Sequence, residues 1–340
     1  MLSGDVARAL ALFSDLPARP AMVPAARTDA VAFRGVARLW AGDLRAAAED
    51  LALAVNRINA GVQVRFPCRA LAFLAETEFR LGRWDDSRVH AEMAVVLACD
   101  ADRGYDLALV HSAAVPVAAC RGDWTAADGH AQAAEQAAGT FGGFAAILAA
   151  SARGILGLAR DDPEEVLHGA AVALAAPEID RYDPAAFWWR PAQVWALIRT
   201  GRLGQAELIL ASIEARAARR GDSAALTQAA WLRGSLAMAC DDLDQADEVL
   251  RTACGAARGQ PLPFHGGLLD LQYSRCLSRL QRHGAAVDGC VPLVMSSAFW
   301  GRVRSCAPAK PNSPGSACGP SLAATPPCRG SPPRNCEWRS

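Results

Sequence analysis

LGRWDDSRVHAEMAVVLA occupies residues 81 to 98, and nearly the same phrase returns as RGDWTAADGHAQAAEQAA at residues 121 to 138. Extended along the chain, the phrase aligns Gly42, Gly82, Gly122, Asp161, Gly201, Asp241 and Gln281 in one column, at intervals of 40, 40, 39, 40, 40 and 40. Two positions after this pivot the residues are mostly bulky: Leu44, Trp84, Trp124, Leu203 and Leu243, with Pro163 and His283 completing the column. Five after it they are mostly small: Ala47, Ser87, Ala127, Ala206, Ala246 and Ala286, with Val166 among them.

Positions three and four apart share a helix face, so these columns describe a helix that ends at the pivot and a second that starts just beyond it. Gly42, Gly82, Gly122 and Gly201 are read as structural turns, because glycine enters the left-handed conformation that closes a helix without the Cβ penalty. An Asp often follows and can cap the next helix. Two helices per roughly 40 residues is the signature of an α-solenoid, in which each hairpin buries its apolar face only against its neighbours. The expected fold is therefore all-α, with six to seven hairpins over residues 1–288.

The composition supports a core and limits the function classes. Apolar residues make up 52% of the 340, and the net charge is zero. Through Asp288 there are 29 basic and 34 acidic residues, so the body offers no phosphate-tracking surface. No apolar run suggests a membrane span, and Asp5 and Arg8 in the N-terminal segment suit an amphipathic helix better than a signal peptide. A cytoplasmic protein is expected. The body cysteines show no CxxC pair and no regular spacing with His, which argues against a zinc site or a disulfide framework.

Four phrases carry a family resemblance: RGVARLWAGDLRAAAEDLALAV (34–55), RALAFLAETEFRLGRWDDSRVHAEMAVVLA (69–98), YDLALVHSAAVPVAACRGDWTAADGHAQAA (105–134) and LLDLQYSRCLSRLQRHGAAVDG (268–289). Together they resemble the tetratricopeptide-like helical region of large ATP-binding transcriptional regulators of the LuxR type. The resemblance implies that this chain is a fragment holding the sensor and coupling region, which would bind an inducer or protein partner on its concave face. Members of the family carry an ATPase before the repeats and a helix-turn-helix domain after them. The sole lysine is Lys310, so residues 1–340 contain no GxxxxGK[ST] phosphate loop. ATP and DNA are accordingly expected only at the family's other domains, with no cofactor or nucleic acid bound by this chain. The alternative is a stand-alone tetratricopeptide-like adaptor that binds other proteins. No nucleophile, base or metal motif stands out, and an enzyme is not expected.

After Gly289 the repeat stops. Residues 289–340 hold five of the eleven cysteines, nine of the twenty prolines and only one acid, Glu337. This Pro-, Cys- and Arg-rich composition predicts a disordered tail, and its abrupt onset in an Arg-rich, Lys-poor chain points to out-of-frame translation from near codon 290, with a natural disordered tail as the alternative.

Three constellations are candidates for function. His90 and His130 stand eight after successive pivots, with Asp50 at the equivalent place, and stacking could bring the two imidazoles within reach of a metal or anion. FWWRP (187–191) together with Trp195 makes Trp188, Trp189, Arg190 and Trp195 a candidate recognition patch on the concave face, with core packing as the competing reading. The acids of RDDPEEV (160–166) read as a helix start, with Asp162 as cap and Pro163 at the first helical position.

Overall fold

The computed structural model describes residues 6–101, 103–176, 187–260 and 262–282. Among them are fourteen α-helices and no strand. After a short α1 (Val6–Ala11) and two 3₁₀ turns come six complete hairpins: α2 (Thr28–Trp40) with α3 (Leu44–Asn59), α4 (Pro67–Arg80) with α5 (Trp84–Asp100), α6 (Gly104–Arg121) with α7 (Trp124–Phe141), α8 (Gly143–Arg160) with α9 (Pro163–Ala175), α10 (Trp189–Arg199) with α11 (Leu203–Arg220), and α12 (Ser223–Ala239) with α13 (Leu243–Ala257). The first helix of a seventh, α14 (Pro263–Arg279), closes the described part. His283, Ala286 and the whole 289–340 tail lie outside the described residues.

Every pivot residue has positive φ: Gly42, Gly82, Gly122 and Gly201, and also the non-glycines Asp161 (59°), Asp241 (64°) and Gln281 (61°). At all seven, the amide one residue later returns to the carbonyl four before the pivot, from Asp43 to Arg38 (3.0 Å) through Arg282 to Leu277 (2.9 Å). This is the Schellman closure of a helix C-terminus. Where Asp follows the pivot it caps the next helix: Asp43 accepts from the Ala46 amide, Asp123 from Ala126, Asp162 from Glu165 and Asp242 from Gln245. The pivots Asp161 and Asp241 accept instead from Arg199 and Arg279 of the following hairpin, each two residues before the next pivot, in exposed ion pairs.

The small column is the seam inside each hairpin. Ala47, Ser87, Ala127, Ala206 and Ala246 are fully buried, and Val166 is nearly so. The column seven before the pivot is small in five of its seven places, at Gly35, Ala75, Gly154, Gly234 and Ser274, with Val115 and Val194 in the other two. A Cβ built on Gly234 would stand 2.4 Å from Leu250 Cγ, and one on Gly35 2.7 Å from Leu51 Cγ, so each glycine makes room for a leucine of the partner helix. By length and composition α8 alone among the described residues could cross a membrane, but it lies mostly buried among its neighbours and carries Arg153, which is paired with Glu135 and Glu165. The expectation that no segment approaches a membrane span is corrected to that extent.

The superhelix closes on itself. Phe79 of α4 meets Phe264 of α14 at a 4.8 Å ring distance, Trp188 stands edge-on to Phe264 (5.2 Å), and Trp40 of α2 meets Phe187 (6.0 Å). Hairpins far apart in sequence thus share an aromatic plug on the inner face.

Two predictions test this packing. Gly234→Ala is expected to destabilise the chain by about 1–3 kcal/mol in urea unfolding, because overpacking against Leu250 outweighs the helix propensity gained. Gln281→Gly is expected to stabilise by about 1 kcal/mol by relieving left-handed strain, whereas Asp241→Gly gains less because it also gives up the Arg279 bond.

Candidate functional site

The first helices of the first four hairpins line the inner side, with Arg69, Leu109 and Leu148 standing 13 before their pivots, Tyr105 and Phe144 a turn earlier, Phe33 and Phe73 nine before, Val36 six and Trp40 two. A groove of about 510 Å³ runs across α2, α4, α6 and α8, walled by Phe33, Trp40, Phe73, Tyr105 and Phe144 and floored by Leu109 and Leu148. This volume lies within the range of small-molecule sites. At its rim Arg69 Nε donates to Asp106 Oδ1 (2.6 Å), the Arg69 guanidinium lies over Phe66 (4.4 Å) and Tyr105 (5.4 Å), and Arg103 stands 3.7 Å from Asp106. Cys68 Sγ donates to the other Asp106 oxygen (3.2 Å). Burial, reinforced by that hydrogen bond and the Asp106 charge, pushes the Cys68 thiol up to about 11, so it stays a protonated donor.

Deeper along the axis, the groove narrows to a cavity of about 50 Å³ that contains Glu76, Arg80, Ser112, Pro116 and Ser151, and beyond it to one of about 20 Å³ bounded by Asp222, Gln228 and His265. Glu76 and Arg80 pair at 2.6 Å across one helical turn. The aromatic plug ends this path.

The candidate residues do not come together as one site. Trp188, Trp189 and Trp195 are all buried in the core, and Trp188 shows only an edge to the two small cavities. Arg190 lies over the Trp189 ring at 4.1 Å and donates to Gln193 (3.0 Å). The reading of this patch as an open concave surface is therefore corrected: the closure of the superhelix covers it, and its aromatic density serves the plug. His90 and His130 do not face each other. His90 Nδ1 pairs with Glu78 (2.7 Å) and His130 Nδ1 with His111 Nδ1 (2.9 Å), in each case on the first helix of its own hairpin. Asp50, their equivalent, accepts from Arg34 and Arg38. Among the described residues no group of three or more His, Cys, Asp or Glu could hold a metal. RDDPEEV is a helix start whose Glu165 answers Arg153 and Arg160. The groove residues escaped the sequence reading, although the pivot column numbers them: Phe33 and Phe73 both stand nine before it.

No protein-family model matches the chain, and no curated protein matches it. Among solved structures 26 chains match, including a Rap protein crystallised in complex with Competence and Sporulation Factor. That structure shares 14% sequence identity with this chain, covers 81% of it and 73% of the Rap chain, and superposes with a TM-score of 0.55. The fold is a tetratricopeptide-like helical repeat. At this identity the likeness is one of fold.

The histidines make stability depend on pH in opposite senses. The Glu78 hydrogen bond raises His90, so its contribution is complete below about 6.5 and is lost as pH rises through its folded value. Burial lowers His265 to about 3, aided by Arg80, and His111 to about 4, aided by His130. For these two the unfolded chain takes the proton first, so stability is lost as pH falls from about 6.5 toward 3. His265 alone is expected to cost about 2 kcal/mol by pH 5. Urea unfolding between pH 7 and 5 should show this slope, His265→Phe should flatten it, and NMR titration should place the His265 imidazole well below that of His90.

Proposed function

We infer that the chain is a non-enzymatic sensor and coupling module, the helical-repeat region of a LuxR-type ATP-dependent transcriptional regulator, which receives an inducer or partner on its concave face. The observation that carries this reading is the 510 Å³ aromatic groove built by four successive hairpins. Two further facts support it: the four phrases that resemble the LuxR-type region, and the fold shared with a Rap protein that was solved in complex with a factor. Such a module works in the cytoplasm, binds no cofactor itself and reaches ATP and DNA only through other domains of the regulator. Coupling has a physical route, because Trp40 belongs both to the groove wall and to the aromatic plug that ties the first hairpin to the later ones. A stand-alone adaptor would use the same groove for a partner segment.

Two measurements test the reading. Coding DNA around the gene is expected to encode a helix-turn-helix pattern in another frame beyond codon 289 and a phosphate-loop ATPase upstream; a dedicated promoter without either favours the adaptor. In a thermal-shift screen of metabolites with the full chain, a hit is expected to raise Tm by a few degrees. The shift should vanish in Leu148→Trp and in Phe73→Lys, both verified as helical by circular dichroism. Sequence-specific DNA binding by residues 1–340, or shifts indifferent to both substitutions, would overturn it.

A further inference from the structure

Beneath the leucines that floor the groove lies a cavity with a few polar groups among apolar ones. Trp40, Phe73, Leu109 and Leu148 line both the groove and the narrower 50 Å³ cavity beneath it, so the two adjoin across these four side chains. Since a water needs about 10–15 Å³ by this measure, the cavity has room for a group of a few heavy atoms.

Ser112 is the unusual residue there. Serines and threonines inside helices commonly return their hydroxyl to the carbonyl four residues back. Thr77, Ser151, Thr227, Ser235 and Ser278 all do so, at 2.7 to 2.9 Å. Ser112 does not: its Oγ is buried and has no hydrogen-bond partner. Four residues later stands Pro116, inside α6. Proline has no N–H, so the Ser112 carbonyl also lacks its ordinary helical donor. Ser112 and Pro116 both line the cavity, so one lining residue has a hydroxyl without a partner and a carbonyl without its ordinary donor. The neighbouring Glu76 and Arg80 cancel each other's charge. Beyond them Phe187 and Trp188 close the cavity, so no long extended peptide can run through.

We propose that groove and cavity together bind a small, uncharged, amphipathic amide. Its apolar body, aromatic or branched, lies among Phe33, Phe73, Tyr105 and Phe144. Its amide N–H donates to the Ser112 carbonyl and its C=O accepts from Ser112 Oγ. A carboxylate is acceptor-only: it has no N–H for that carbonyl and, with Arg80 already paired to Glu76, would bring a charge without a counter-ion, so the cavity disfavours it. This assignment rests on the groove being the receiving site.

The test is a tryptophan-fluorescence titration of the full chain with 2-naphthamide, 2-naphthoate and naphthalene. Naphthamide is expected to bind at least about tenfold more tightly than naphthoate. Ser112→Ala should weaken naphthamide about fivefold and leave naphthalene unchanged. Pro116→Ala, which gives the Ser112 carbonyl an N–H of its own, should weaken naphthamide similarly while adding to helix stability. Equal affinity for naphthamide and naphthoate, or naphthamide binding untouched by both substitutions, would overturn the proposal. If naphthalene still binds and Leu148→Trp abolishes it, the groove stands and only the cavity assignment falls. If none of the three binds, both fall.

Discussion

A single left-handed residue between two helices is the constraint on which the structure depends. At seven places along the chain it sends the next amide back to the carbonyl of the helix just finished, with the same geometry each time. That bond fixes how the second helix of a hairpin leaves the first. Small residues at the seam then allow the two helices to approach, and glycines such as Gly35 and Gly234 accept a leucine from across it. Because the closure repeats unchanged, the hairpins repeat, and a stack of like units must wind.

The turns between hairpins are not constant, and they give the superhelix its shape. α7 runs almost directly into α8 through Gly142, whereas α9 ends at Ala175 and α10 begins at Trp189, with Phe187 and Trp188 buried just before it. There these rings meet Trp40 and Phe264, which belong to the first and seventh hairpins. The hairpins, their pivots and their caps were legible in the sequence because each is set by residues a few positions apart. The closure was not, since it depends on the pitch accumulated over several repeats. Phe187–Arg190 illustrates the difference: aromatic density is the same signal whether the rings face a ligand or a distant part of the chain.

Charge follows the same local logic. The column eight after the pivot holds Asp50, His90 and His130, and each finds a partner on the first helix of its own hairpin. These polar residues sit at a helix–helix seam, where an unpaired group would lose its hydration without compensation. Arginine suits such positions because its planar fork can hold a carboxylate with two bonds, as in Arg34 with Asp50 and Arg153 with Glu135. A column that looked like a ligand set is therefore a record of how each hairpin satisfies its interior.

Pro116 departs from that thrift. A proline inside a helix costs about 3 kcal/mol and leaves a carbonyl without its amide. Yet α6 continues through it to Arg121 and packs against helices on both sides. The solenoid tolerates the loss because α6 is held by its neighbours rather than by its own propensity, as with most helices in folded chains. Ser112 and Pro116 line a cavity where the inner face is not filled with side chains, under a groove whose wall includes Trp40. Trp40 lines both the groove and the cavity and stands edge-on to Phe187, so the wall of the groove and the closure of the superhelix share one ring in a close-packed interior. The first hairpin contributes that residue to both.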